Sequence, residues 1–140
     1  MSPQKPKNYE LTIPSTLDEI EAVEKLTEKA ADECGFSEDD KDSLAIAVTE
    51  AVNNAILHGN KQDKDKKVNI KFVFHNNKLT VKIKDQGNGF NPDKIGDPLA
   101  PENLLKESGR GVFILSSLMD DIKFNFGKNG TEIILIKEKK

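Results

Sequence analysis

The sequence predicts an α+β fold, a two-layer sandwich with helices on one face of a mixed, largely antiparallel sheet. Three observations lead to it. Stretches with apolar residues at helical spacing are interspersed with stretches that alternate apolar and polar residues. The alternating stretches come in neighbouring pairs, with turn-forming residues between them. Finally, a chain of 140 residues builds one compact core and leaves little room for a second, so residues 1–140 read as a single domain.

The elements follow in order. NYELTI at 8–13 alternates and reads as a first strand. Ser15 and Thr16 then offer an N-cap, and Glu19 stands three residues after Thr16 to complete a capping box. Leu17, Ile20, Val23 and Leu26 recur at helical spacing, and Gly35 after Cys34 suits a helix stop. A second helix starts after Ser37, with Asp40 at the capping-box position, and runs to about His58 before Gly59. In VNIKFVFH, residues Val68, Ile70, Phe72 and Phe74 share a face; in LTVKIKD, residues Leu79, Val81 and Ile83 do. Asn76 and Asn77 between these two runs tolerate positive φ and predict a tight hairpin. Residues 86–108 carry Gly87, Gly89, Pro92, Gly96, Pro98 and Pro101 and read as a loop. GVFILSSLM then looks helical, IKFNF alternates, Gly127 to Gly130 turn the chain, and TEIILIK closes it as a strand.

Composition narrows the function classes. Net charge is −3, with both signs mixed along the chain, which argues against direct nucleic-acid binding. The one basic cluster, KQDKDKK at 61–67, is interrupted by Asp63 and Asp65 and reads as a solvated loop. No apolar run approaches the roughly 20 residues of a membrane span, and MSPQKPKNYE lacks the apolar core of a secretory signal, so a cytoplasmic protein with no membrane partner is expected. A single cysteine, Cys34, excludes an internal disulfide framework and a cysteine-based zinc site.

Chemistry gathers at three places. The first is TEAVNNAILHGN at 49–60. Leu44, Val48, Ala51, Val52 and Ala55 form one apolar helix face, whereas Glu50, Asn54 and His58 form a polar stripe at i, i+4 and i+8. Ile46 and Leu57 border that stripe on its far side, which suggests a cavity wall. Carboxylate and amide oxygens one turn apart suit Mg²⁺ that keeps several waters. Spacing alone leaves open a second reading, in which Glu50 and Asn54 simply face water.

The second place is Asp85, which inherits the inward parity of Leu79, Val81 and Ile83. A carboxylate there is costly without a partner. Gly87 and Gly89 follow at once and let backbone approach a ligand closely. A carboxylate that accepts from an exocyclic amine would suit a purine, and a turn Asp followed by loop glycines is the plain alternative. The third is SGRGVFIL at 108–115, where Ser108, Gly109 and Gly111 open a helix whose amides can hold an anion. A simple helix-start turn explains it as well. Neither glycine pair is a dinucleotide fingerprint, since Pro92 and Ile114 occupy the third-glycine positions, and G-x-x-x-x-G-K-[ST] is absent.

In combination these features resemble a known family. Glu50-x-x-x-Asn54 on a helix, Asp85-x-Gly87-x-Gly89 after a strand and Gly109-x-Gly111 before a helix resemble the Bergerat (GHKL, histidine-kinase-like) ATP-binding fold. TEAVNNAILHGN, KDQGNGF and SGRGVFILSSLMDDI are similar to the anti-sigma-factor serine-protein kinases of that superfamily, over about residues 9 to 137. The resemblance implies that Asn54 coordinates the Mg²⁺ that bridges the phosphates of ATP, and that Glu50 is the general base. It implies that Asp85 accepts from the adenine amino group, with Gly87 and Gly89 on the pocket floor and Thr131 near the adenine. Residues 91–108 would form a lid, and Ser108, Gly109, Arg110 and Gly111 would cradle phosphate oxygens. His58 matches a family His at the helix end and reads as structural.

The implied function is an ATP-dependent protein-serine kinase that sequesters a sigma factor and phosphorylates an anti-anti-sigma antagonist on Ser or Thr, acting as a homodimer. One position departs from the pattern: where some family members carry an Arg before the Ser-Gly, this chain has Glu107, after Lys106. Two further readings stand beside the first. One is a module that binds ATP and represses a partner without phosphoryl transfer; the other is a related kinase that acts on a sensor scaffold.

Overall fold

The computed structural model describes residues 7–60, 63–87, 115, 117–127 and 130–139. Strand β1 (Lys7–Pro14) leads through a 3₁₀ turn (Leu17–Glu19) into helix α1 (Ile20–Glu33). Helix α2 (Glu38–Asn54) continues as a π-helical turn (Ala55–Gly59). Strands β2 (Lys67–His75), β3 (Lys78–Lys84), β4 (Asp121–Gly127) and β5 (Gly130–Glu138) complete the sheet in the order β1-β2-β3-β5-β4.

All four described pairings are antiparallel. The parallel pairing that a mixed sheet would contain is not among them. β3 and β4 do run the same way, but β5 lies between them and pairs with both. Each strand therefore finds an antiparallel neighbour, and the connection from β3 to β4 does not make adjacent strands parallel.

Side-chain parity built this sheet. Val68, Ile70, Phe72 and Phe74 of β2 and Leu79, Val81 and Ile83 of β3 are all buried, while their alternates Lys71, Lys82 and Lys84 are exposed. Ile133 and Leu135 continue the apolar face on β5. The two helices cover that face: Val23, Ala30 and Ala31 from α1, and Leu44, Ala47, Val48, Ala51 and Val52 from α2, join one cluster with the strands. The apolar stripe read from α2 is the buried one. Small residues at 47, 51 and 55 let the helix lie close to the sheet, and α2 rests on β3 and β5.

Local signals terminate the elements largely as the sequence implies. Gly35 adopts φ +79°, and the Phe36 amide donates back to the Ala31 carbonyl, so α1 ends in a left-handed cap. Ser37 caps α2 by accepting from the Asp40 amide at 3.2 Å. Asn76 and Asn77 both adopt positive φ (54° and 61°), the backbone of a two-residue hairpin turn whose twist matches the strands. Cys34 is buried at the end of α1, and that burial pushes its thiol above its ordinary value, which suits a packing role.

The first helix start differs. The capping box does not form: Thr16 Oγ1 accepts instead from the Asp18 amide at 3.4 Å, and the opening turn is a 3₁₀ turn. Ser15 is turned inward, where it donates to the Lys66 carbonyl at 2.6 Å. A buried partner with a free carbonyl outcompetes a solvent-exposed cap for this hydroxyl. Among the described residues, no helix is long and apolar enough to cross a membrane.

Candidate functional site

The end of β3 meets the start of β5 through Asp85 and Thr131, and α2 packs on both strands. Glu50 and Asn54 are both half-buried, one turn apart. Asn54 is the last residue of α2, and the π-helical turn begins at once after it. Such wide turns are uncommon and concentrate at functional sites. Asn60 closes this one by donating its backbone N–H to the Ala55 carbonyl at 2.8 Å. The helix C-terminus carries the negative end of its dipole, so this end favours a cation. Ile46, expected to border the polar stripe, is instead 53% exposed. Only one face of α2 meets the sheet, and among the described residues no second layer covers that flank. Leu57 is half-buried.

Asp85 keeps the inward parity of β3 past the strand's end and is only 5% exposed. Backbone fixes it. Its own N–H donates to the Thr131 carbonyl at 3.0 Å, extending the β3–β5 ladder by one pair. Its Oδ1 accepts from the Thr131 amide and from the Gly87 amide, each at 3.0 Å. Both of these bonds fall on the same oxygen, and Oδ2 accepts none from the described residues, which leaves it acceptor capacity. Gly130 makes the approach possible: its φ is +141°, and a Cβ there would lie 2.1 Å from the Asp85 carbonyl oxygen.

Thr131 supplies the other polar group. It is buried, and its Oγ1 has no hydrogen-bond partner among the described residues. A buried hydroxyl left unpaired costs free energy unless a ligand or water completes it. A carboxylate oxygen with spare acceptor capacity beside an unpaired hydroxyl fits a base edge with an amino donor next to a ring-nitrogen acceptor, as adenine has. At the helix end, the Glu50 and Asn54 oxygens are the hard donors that Mg²⁺ takes. Among the described residues, no three His, Cys, Asp or Glu side chains cluster as a metal cage. One or two protein oxygens, with phosphates and water filling the other positions, is the usual Mg²⁺ arrangement beside a nucleotide.

Asp85, Gly87 and Thr131 are thus brought together by hydrogen bonds, while Glu50 and Asn54 are half-buried on α2, the helix that packs on β3 and β5. Gly89, Ser108, Gly109, Arg110 and Gly111, and the lid at about 91–108, lie outside the described residues, as does the side chain of His58. Three residues of the site's framework were not anticipated: Ser15, Asn60 and Gln86. The one signal in the sequence was Asn60 itself, a polar residue directly after Gly59 at the end of the helical segment.

Residues 13–137 match the family described as histidine kinase-like ATPase domain. Serine-protein kinase RsbW of Oceanobacillus iheyensis is 29% identical over 134 residues, which cover 91% of this chain and 84% of the relative. The protein of the same name from Bacillus subtilis is 29% identical over 120 residues, 81% of this chain and 75% of its own. The crystal structure of the RsbU and RsbW domains of Rv1364c from Mycobacterium tuberculosis is similar with a TM-score of 0.71 at 16% identity, over 95% of this chain. This chain spans 32% of that solved one, so the likeness bears on the fold alone.

Proposed function

Since the chain belongs to the histidine kinase-like ATPase domain family, we propose that it is an ATP-dependent protein-serine kinase that also acts as an anti-sigma factor. It sequesters a sigma factor and phosphorylates an anti-anti-sigma antagonist on Ser or Thr, as a cytoplasmic homodimer that regulates transcription through its partners. The observation that carries the nucleotide half of this reading is the Asp85–Thr131 pair, with its spare carboxylate oxygen and unpaired buried hydroxyl. The kinase names of its relatives support the rest.

In this reading Asp85 accepts from the adenine amino group, and Thr131 Oγ1 completes its bonding on the neighbouring ring edge. The Gly87 amide is already committed to Asp85 Oδ1, so Gly87 shapes the floor and does not donate to the base. Gly89 continues that floor, and Ser108, Gly109, Arg110 and Gly111 hold phosphate oxygens. Asn54 would hold Mg²⁺, which when bound neutralises phosphate charge during in-line transfer. Glu50, one helical turn earlier, takes the proton from the antagonist's hydroxyl as it attacks the terminal phosphoryl group. Phosphoryl transfer needs positioning and charge neutralisation more than covalent chemistry, so no nucleophilic side chain of this chain is required.

Incubation with Mg-ATP and the cognate antagonist is expected to yield phosphoserine or phosphothreonine on the antagonist, detectable by mass spectrometry. If ATP binds and no phosphorylated antagonist forms, the kinase half fails. Glu107 favours the alternative in that event, a repressor that uses ATP only as a conformational ligand, because its carboxylate adds negative charge where some relatives place a cation.

A further inference from the structure

The Asn60 side chain has no part in the roles of Glu50, Asn54, Asp85 and Thr131, yet both of its polar atoms are paired. The residue is 1% exposed. Buried amides persist when each polar atom is paired, and here each is. Nδ2 donates to Ser15 Oγ at 2.7 Å and to the Lys67 carbonyl at 3.0 Å. Oδ1 accepts from the Gln86 amide at 2.7 Å. Ser15, also 1% exposed, passes the chain on by donating to the Lys66 carbonyl, and the Gln86 side-chain oxygen accepts from the Lys67 amide. One carboxamide therefore ties the end of the α2 helical segment to the end of β1, the start of β2 and the end of β3.

The position of Gln86 gives this network a functional direction. Gln86 lies between Asp85 and Gly87, inside the turn that the Gly87 amide closes onto Asp85 Oδ1. Its own amide is a second donor of that turn, and Asn60 accepts from it. Thr131 fixes Asp85 from the β5 side; Asn60 fixes the same turn from the helix side. The segment that carries Asn60 continues directly from Glu50 and Asn54.

We infer that Asn60 is a positioning residue for the purine end of the nucleotide site. It holds the Asp85–Gly87 turn in register with the helix that carries Glu50 and Asn54, and so sets the placement of the base relative to the phosphates. The inference rests on the nucleotide reading above. Loss of the amide leaves the Gln86 N–H without its acceptor and frees the turn to rotate, which moves the Asp85 carboxylate off the base. Asn54 sits more than a helical turn before Asn60 and keeps its place in the packed helix, so the phosphate end loses far less.

The test compares Asn60→Ala and Ser15→Ala with the unaltered chain, at a temperature where circular dichroism shows each fully folded. Titration calorimetry measures affinity for ATP and for tripolyphosphate, both with Mg²⁺. Asn60→Ala removes three side-chain hydrogen bonds; the one lost from the Gln86 amide is expected to weaken ATP by about tenfold, and tripolyphosphate affinity is expected to fall by less than about twofold. Ser15→Ala removes one acceptor from the same amide and is expected to shift ATP in the same direction by a smaller factor, which keeps the test available if Asn60→Ala does not fold. A purely structural latch would lower the melting temperature and leave the ratio of the two affinities unchanged. That result, or wild-type ATP affinity in the folded variants, overturns the inference. If the unaltered chain binds tripolyphosphate but not ATP, or neither, the nucleotide reading itself falls and takes this role with it.

Discussion

Asp85→Asn is expected to lower affinity for Mg-ATP by about 100-fold or more, equivalent to about 2.8 kcal/mol. The chain should still fold. The amide oxygen can keep the two bonds that Oδ1 now receives from the Thr131 and Gly87 amides. What changes is Oδ2, which becomes an NH₂ group and faces the adenine amino group donor to donor. A site built around one polar complement rejects a mismatch strongly, because the buried groups on both sides are left unpaired. Calorimetry at matched folded fraction measures the effect. An Asp85→Asn variant that binds ATP as the unaltered chain does would mean that the base lies elsewhere.

The second large effect separates binding from chemistry. Glu50→Gln is expected to leave ATP affinity within about threefold and to slow phosphorylation of the antagonist by about 10²–10⁴-fold, the contribution of a positioned general base. Glu50 is half-buried one turn before Asn54, so the amide fits the same space. Sequestration of the sigma factor should survive the substitution, since binding a partner needs no proton acceptor. Single-turnover assays with radiolabelled ATP give the rate, and co-purification gives the partner. Equal rates for both proteins would remove Glu50 from the chemistry.

The burial pattern around the candidate site was legible in the sequence. Period-2 alternation through Leu79, Val81 and Ile83 placed Asp85 inward, and it is buried. Helical spacing separated the buried face of α2 from Glu50 and Asn54. These are local periodicities, and burial on one face enforces them. The framework around the site was not legible, because it is long-range. Asn60 bonds partners 45, 7 and 26 residues away, a set that no local pattern reports. The same network took Ser15 from its expected capping role. Periodicity also could not show that the helix widens into a π-helical turn after Asn54, since the sequence from 55 to 59 suits an α-helix as well. Nor did it show that β5 would enter the sheet between β3 and β4, which is why the sheet pairs antiparallel throughout its described strands.

The most direct test of the shared pocket is a backbone amide chemical-shift map recorded as Mg-ATP is added to saturation. The site described here requires the amides of Gln86, Gly87 and Thr131 to move together with those of residues 50–54, while the exposed lysine-bearing face of β2 and β3 stays still. Shifts confined to that outer face, or a saturating titration in which Gly87 and Thr131 do not respond, would contradict it.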